Sequence, residues 1–505
     1  MAIPNPHLSH ITRRQRDQPD YIEVLYIFCT SSHRSLIIAT DKAPIDTLPA
    51  EILLQIFAFY MCEDYDDEEW VTLVHVCQRW RSIVFAAPHR LNLQLVCTSE
   101  TPVRRMLDIW PPLPIYIRVP DMSVIDDSVL AALEEHGRIC KVHVNYISDL
   151  ELDDLAGAMQ VTFPALTDLR IYSCDNTVSF SESFLGGSAP NLRSLNLARI
   201  TFPALPKLLL SSPGLVHLSL FEVPHSGDVS PDAMVEFLSL LTGLETLEIH
   251  FPSTQFWPAQ ASRHPAPLTR IVFPVLKKLH LKGEKEYLEQ ILAHISVPPL
   301  DHVDIGFLGS TVFDISRISQ WIGRTKMFEA FDQAYMLFDD VYSIVMLSSR
   351  KGAIGGKMLK LSLLWIDSAW KLQKLTLDFR DYFFEPLDLC KFEGSVPPNL
   401  AENMDNAPWL YLAHFLTTTE YIYLSQGVAA LVAPALQELT GTGVTEVLPV
   451  LRTIFVERLD ALGPVQETIG QFVAARRLLS GHPIDVQCWV KGERESAAQG
   501  VGGGL

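Results

Sequence analysis

No two of the eight cysteines stand in a C-x-x-C pair. That absence excludes a zinc ribbon and argues against a disulfide framework, so a reducing compartment is expected. Positive charge is the second shortage. Lys and Arg number 40 against 59 Asp and Glu, a formal net charge of −19 at pH 7. A chain this acidic lacks the clustered cations that neutralise nucleic-acid phosphates, and anionic lipid surfaces repel it. No nucleic-acid partner and no membrane partner are therefore expected. Catalytic signatures are also missing: there is no H-E-x-x-H, no G-x-S-x-G and no G-x-G-x-x-G after a strand pattern. The nearest phosphate-loop resemblance is Gly355-Gly356-Lys357. It fails because Met358 stands where Ser or Thr is needed and Lys351 where the first glycine belongs.

The histidines are dispersed, and a single one such as His75 on a helical pattern reads as structural. Cys77 reads as packed core. The acidic run Glu63 to Glu69 lacks the turn chemistry of a cation cage and reads as a solvated or partner-facing loop. The chain is thus expected to be non-catalytic, with no cofactor and no metal. The apolar stretch Tyr21 to Thr40 approaches the length of a membrane span. It carries Glu23, His33 and Arg34 and follows a polar leader, so it reads as a packed strand or loop, or as poorly ordered leader. Arg13, Arg14 and Arg16 beside Asp17 read as a solvated tail.

What the chain does have is apolar content, 48% of 505 residues, enough for two or more domains or one long repeat array. A unit of the form leucine-x-x-leucine-x-leucine recurs, with Ile or Val allowed at each apolar place. Clear copies are Leu166-Leu169-Ile171, Leu192-Leu195-Leu197, Leu215-Leu218-Leu220, Leu244-Leu247-Ile249, Leu276-Leu279-Leu281 and Leu300-Val303-Ile305. Their middle residues stand 23–32 positions apart. Ile139-Val142-Val144 precedes them. Leu372-Leu375-Leu377 and Leu451-Ile454-Val456 follow, with degraded copies at Thr419-Ile422-Leu424 and Leu436-Leu439. Phe328-Phe331 and Leu359-Leu361-Leu363 read as worn remains. A proline precedes the first apolar residue by two in seven units: Pro164, Pro190, Pro213, Pro274, Pro298, Pro434 and Pro449. Proline stops a preceding helical segment and marks the turn into the next strand.

Alternate strand residues share a face, so the second and third apolar residues of each unit point inward together. One unit cannot bury them alone; stacked neighbours can. Helical patterns fall between strands, as in Ala233, Met234, Phe237, Leu238, Leu241 and in Leu288, Ile291, Leu292, Ile295. The residues between the inward pairs point outward and form a candidate recognition face: Arg170, Tyr172, Asn196, Phe221, His250, His280, Lys282 and Asp378. Aromatics, Arg and His side by side are hot-spot material for protein recognition. Trp321 to Lys360 reads as mixed helix and turn, and Phe384 to Trp409 as a second insertion. His482 to Val490 reads as a closing strand, and the tail from Lys491 as disordered.

Asp46 to Pro88 carries a different pattern. Leu48-Pro49 opens a helix, with proline tolerated in the first turn and Glu51 facing the positive end of the helix dipole. Ile52, Leu53, Ile56, Phe57 and Phe59 follow at helical spacing. Past the acidic run a second pattern continues through Trp70, Leu73, Val74, Val76, Cys77, Trp80, Ile83 and Val84, and Pro88 closes it.

Leu48, Pro49, Glu51, Ile52, Ile56 and Phe57, followed by Val76, Cys77 and Trp80, resemble an F-box, and the array behind them resembles the irregular leucine-rich repeats of fungal F-box proteins. The acidic linker departs from the family's apolar connection. The family's Asn or Cys at position nine of the repeat occurs once, as Cys174. The resemblance implies an α/β chain: a leader at 1–43, an F-box-like helical domain at 44–90, a leucine-rich-repeat-like strand-and-helix solenoid at 91–490 with insertions near 321–360 and 384–409, and a tail at 491–505. It implies a substrate receptor of a cullin-RING ubiquitin ligase in the cytoplasm or nucleus. Leu48, Pro49, Ile52, Ile56, Val76 and Trp80 would contact a Skp-type adaptor and, through it, a cullin. The outward strand residues would hold a protein substrate. A non-ligase scaffold is the rival, with the helices serving only as a repeat cap; it would bury the Ile52 and Ile56 face against the array.

Overall fold

The computed structural model describes residues 44–61, 69–121, 124–174, 178–222, 231–251, 271–298, 300–308, 316–325, 331–338, 342–349, 357–364, 389–394, 409–410, 413–414, 416–440, 447–457, 463–480 and 483–489. Three helices come first: α1 (Ala50–Tyr60), α2 (Glu69–Val76) and α3 (Gln78–Ala86). Strands and helices then alternate: β1 (Leu95–Cys97), α4 (Val103–Ile109), β2 (Ile115–Val119), α5 (Asp127–Glu134), β3 (Ile139–Ile147), α6 (Asp149–Ala158), β4 (Asp168–Ser173), β5 (Ser194–Ala198), α7 (Leu205–Leu210), β6 (His217–Phe221), α8 (Pro231–Ser239) and β7 (Thr246–His250). Next come β8 (Ile271–Val272), β9 (Lys278–Glu284), α9 (Lys285–His294), β10 (Ile295–Ser296), β11 (His302–Leu308) and α10 (Ser316–Thr325). The last stretch holds β12 (Gln333–Phe338), β13 (Tyr342–Ser348), β14 (Met358–Leu364), β15 (Leu389–Gly394), β16 (Tyr421–Leu424), α11 (Gln426–Glu438), β17 (Thr453–Glu457), α12 (Pro464–Ser480) and β18 (Asp485–Trp489).

One 16-stranded sheet runs in the order β1-β2-β3-β4-β5-β6-β7-β9-β11-β14-β13-β12-β15-β16-β17-β18, while β8 and β10 pair apart from it. Every pairing in the large sheet is parallel except the two made by β13. The repeating leucines are the reason for the register. Val142, Leu169, Leu195, Leu218, Leu247, Leu279, Val303 and Leu359 are successive cross-strand partners. Each is at most 1% exposed. At roughly 1.5–3 kcal/mol per buried aliphatic side chain, a one-residue slip would turn this whole row out to solvent. Leu288, Ile291 and Leu292 of α9 and Leu238 of α8 join the same core, so these helices cover the inward face, and among the described residues none of them lies on the outward face. Pro164, Pro190, Pro213, Pro274, Pro298 and Pro449 each lie four residues ahead of the strand that follows.

Five expectations change. The pattern from Trp70 to Val84 is two helices, not one. Cys77 adopts an extended backbone, φ −159° and ψ 167°, and its Sγ accepts from the Trp80 amide to cap α3. Cys77 is therefore a half-buried cap rather than packed core. Leu436-Leu439 belongs to α11 and its end, with Pro434 inside the helix. The i, i+3 spacing of that unit is also a helical spacing, and buried Val428, Leu431, Ala435 and Leu436 outweigh the proline's missing donor. Within Trp321 to Lys360, β12 and β13 join the sheet itself. Their period-2 burial, Ala334 with Met336 and Val345 with Leu347, continues the inward row. Within Phe384 to Trp409, β15 does the same through Cys390 and Phe392. β1 and β2 are strands that the repeat spacing did not mark.

The leader 1–43 with Tyr21 to Thr40 and its arginines, residues 63–68 of the acidic run, the unit Leu372-Leu375-Leu377, Asp378 and the tail from Lys491 lie outside the described residues. Among the described residues no helix is long and apolar enough to cross a membrane.

Candidate functional site

Two surfaces emerge, one on the first helices and one on the open sheet face. In α1 the first-turn amides of Ile52 and Leu53 both reach the Pro49 carbonyl, at 3.2 and 3.1 Å. Helical spacing then divides the side chains. Leu53 and Phe57, four apart, are buried, and the Phe57 ring meets Trp80 of α3 at 4.7 Å between centroids. On the other side Ile52, Ile56 and Phe59 form a stripe that is 41%, 42% and 69% exposed. Tyr60, Ile45 and, at the end of α2, Val76 are exposed too. Such a density of large apolar side chains in water on so small a unit marks a contact surface.

The opposite side of the three helices faces the sheet. Trp70 is buried, its indole N–H donates to the Gln94 carbonyl at 2.9 Å, and its ring packs against Trp110 and Phe85. The Arg81 side chain donates to the Val74 carbonyl across the α2–α3 break, and the Arg79 guanidinium donates to the Leu48 carbonyl. The first bond ties α3 to α2, and the second ties the entry of α1 to α3.

Residues 45–94 match the model of the F-box-like family. No curated protein matches the chain. F-box domains generally bind Skp-type adaptors. Within this F-box-like region the six adaptor candidates divide. Pro49, Ile52, Ile56 and Val76 are exposed, whereas Leu48 and Trp80 are half-buried and packed on the core. Phe59, which the sequence places on the apolar face of this helix, was not counted among the adaptor candidates, and Tyr60 went unmarked. Phe59 stands seven residues after Ile52, two helical turns along, and that periodicity is the signal that would have found it. His75 is half-buried with its ring 6.1 Å from Trp110, and burial first, then Arg81, holds its imidazole below the ordinary value.

The open sheet face is built by register. Arg170, Asn196, Ser219, Glu248, His280, Asp304 and Lys360 form one cross-strand row. Tyr172, Ala198, Phe221, His250, Lys282, Gly306 and Ser362 form the next. All seven described candidates therefore lie in two adjacent rows, spanning β4 to β9, roughly 19 Å at the usual strand spacing. Some touch: His250 Nε2 is 2.9 Å from His280 Nε2, and the Phe221 and His250 rings lie 4.7 Å apart. Arg170 is turned to Asp168 at 3.2 Å, where His143 Nε2 also arrives at 3.0 Å. Burial opposes the charge on Asp168, but those two partners hold its carboxyl below the usual carboxylate value.

Asp304 and Lys360 went unmarked. The Lys360 ammonium donates to the buried Asp304 carboxylate at 2.8 Å, and His280 Nε2 lies 3.5 Å from the same oxygen. Beside this face the chain turns at the strand ends with left-handed backbone at Tyr146, Arg199 and Glu222. The Arg199 side chain ties Glu222 at 2.8 Å and the Cys174 carbonyl at 3.3 Å. At the far end Lys391 lies between the Tyr335 and Trp489 rings and pairs with buried Glu393 at 2.6 Å. The arrangement offers hydrogen bonds, charge and ring faces to a polypeptide. Among the described residues no group of three or more His, Cys, Asp or Glu side chains is placed to hold a metal ion.

Proposed function

We propose that the protein is a substrate-receptor subunit of a cullin-RING ubiquitin ligase. The F-box-like helices dock a Skp-type adaptor, which links to a cullin, and the open sheet face holds a protein substrate. The chain supplies no covalent chemistry. It raises the effective concentration of a substrate lysine near the ubiquitin-loaded enzyme, and proximity of that kind is worth many orders of magnitude in rate. We read the sheet and its helices as an irregular leucine-rich-repeat solenoid of the fungal F-box type, running from about residue 91 to 490 behind a helical unit at 44–90. The reading places the protein in the cytoplasm or nucleus.

One observation carries the reading. The stripe of Ile52, Ile56 and Phe59, inside the region that matches the F-box-like family, stays open to solvent while the opposite side of the same helices is packed. A unit that served only as a repeat cap would have that stripe covered by the sheet. Capping still has its own residues, since Trp70 and its neighbours close the β1 end. The test is co-purification of the adaptor with the full chain, with the chain lacking residues 46–88, and with Ile52→Asp. The adaptor should accompany only the wild type. If it is absent there, or persists with Ile52→Asp, the assignment is wrong.

A further inference from the structure

We propose that the outer edge of β18 pairs antiparallel with β18 of a second copy of this chain, joining two sheets into one. The proposal concerns the end of the sheet away from the F-box-like helices and does not depend on the ligase reading.

The two ends of the sheet differ. At the first, β1 has three residues, and the buried Trp70 indole takes the Gln94 carbonyl just ahead of it. At the last, β18 has five residues, and among the described residues no strand pairs with its outer edge. Its neighbour β17 is buried from Thr453 to Val456, whereas Asp485, Gln487 and Cys488 are exposed and Val486 is half-buried. Parallel pairing decides which backbone groups are free. The Asp485 amide donates to the Arg452 carbonyl at 2.8 Å, and alternate residues of a parallel strand bond the same neighbour. Asp485 and Gln487 therefore direct their backbone groups to β17, and the N–H and C=O of Val486 and Cys488 point out from the edge. Such an edge is a template for another strand, and β18 has none of the usual guards: no proline, no lysine and no bulge in its register with β17.

What fits this edge is the same edge turned about a two-fold axis through Gln487. In that register Val486 faces Cys488 of the partner subunit and the two exchange both backbone hydrogen bonds. The axis repeats the exchange, so every free backbone group of the edge finds a partner. Val486 and Cys488 stand beside Ile454 and Val456 of β17, so the inward apolar row runs on across the junction. Gln487 meets its own copy, an amide pair in which each side can donate and accept. Asp485 is the strand's one charge, and its carboxylate accepts from Gln487 at 2.5 Å. It meets Trp489 of the partner subunit, so no like charges are opposed, whereas a parallel copy in register would set Asp485 beside Asp485. The axis stands normal to the sheet, so the helices of both copies stay on one side and the two outward faces run together. Just ahead of the strand, α12 ends with Leu478 and Leu479 86% and 61% exposed, which adds apolar surface at the same end of the molecule.

The test is sedimentation velocity of the full chain under reducing conditions from about 5 to about 200 μM, where small interfaces associate. The wild type should shift from monomer towards dimer. Val486→Pro removes an edge N–H that β17 does not use, and Gln487→Lys sets like charges on the axis. Each should raise the dimer dissociation constant at least tenfold with an unchanged melting curve. Removal of residues 491–505 should leave the dimer as it is in the wild type. Oxidation with oxidised glutathione then reads the register. In a Cys488→Ser background, Gln487→Cys brings two thiols to a non-hydrogen-bonded pair with Cα atoms about 4.5 Å apart, within the span of a disulfide, and should give a covalent dimer. Asp485→Cys in the same background should give no more than the background alone. A monomer at every concentration, undiminished dimer in both edge variants, equal cross-linking from positions 485 and 487, or a dimer gained or lost when the tail is removed would overturn the proposal.

Discussion

Trp70→Phe isolates the joint between the F-box-like helices and the sheet. The indole N–H donates to the Gln94 carbonyl at 2.9 Å in a buried setting, one residue ahead of β1. Phenylalanine keeps a ring against Trp110 and Phe85 but leaves that carbonyl without this donor. A buried polar group deprived of its partner costs about 1–3 kcal/mol. Because each strand unit leans mainly on its neighbours, the loss should be felt at the β1 end first. Amide hydrogen exchange with mass-spectrometric readout measures it region by region. Peptides covering α2, α3 and β1 should exchange about 5- to 150-fold faster, the factor that 1–3 kcal/mol corresponds to. Peptides covering β16 and β17 should not change. Uniform acceleration along the chain, or none in β1, would refute the view of these helices as a local cap tied down by Trp70.

Leu247→Ala removes a fully buried residue from the middle of the inward row, and a core truncation of this kind costs about 2–5 kcal/mol; a fall in the urea midpoint checks it. Arg476→Met should loosen the last unit, because the guanidinium donates to the carbonyls of Val447, Leu448 and Pro449 at 2.7–3.0 Å, and limited proteolysis should then cut first within residues 447–457. Stability should also fall with acid through His250. Burial first, then His280 and Lys282, pushes its imidazole from 6.5 down to about 4. The unfolded chain therefore takes up the proton before the folded one does, so stability is complete above about pH 7, falls between pH 6.5 and 4, and levels off below. Urea midpoints at pH 7.5, 6.0 and 4.5 should drop less steeply in His250→Gln than in the wild type.

The parallel part of the sheet was legible because its units repeat: Leu169, Leu195, Leu218 and Leu279 each sit five residues after a proline and just before an outward residue, and Leu247 holds the same place in a unit without the proline. What escaped was whatever does not repeat. β12 and β13 interrupt the one-strand-per-unit rhythm with an antiparallel excursion, and β15 carries Cys390 and Phe392 where the second and third leucines of a unit would stand. Leu436-Leu439 misled because leucine-x-x-leucine is also one turn of helix. The adaptor candidates were legible as a pattern but not as a surface. Spacing alone does not say which side of α1 packs on α3, so Phe59 was read as part of the apolar face without being separated from Leu53 and Phe57, and the half-buried position of Trp80 against Phe57 could not be foreseen. The histidine pair depends on strand register, which places residues 30 positions apart side by side.

The account stands most directly on the affinity of the full chain for a purified Skp-type adaptor, measured by calorimetry. Ile52 and Ile56 have about two-fifths of their surface left to bury. At about 1.5–3 kcal/mol for a whole side chain, the double alanine variant forfeits about 1.2–2.4 kcal/mol. Affinity should fall by about 7- to 60-fold, with a melting curve matching the wild type. An unchanged affinity in that folded variant, or no heat of binding from the wild type, would contradict it.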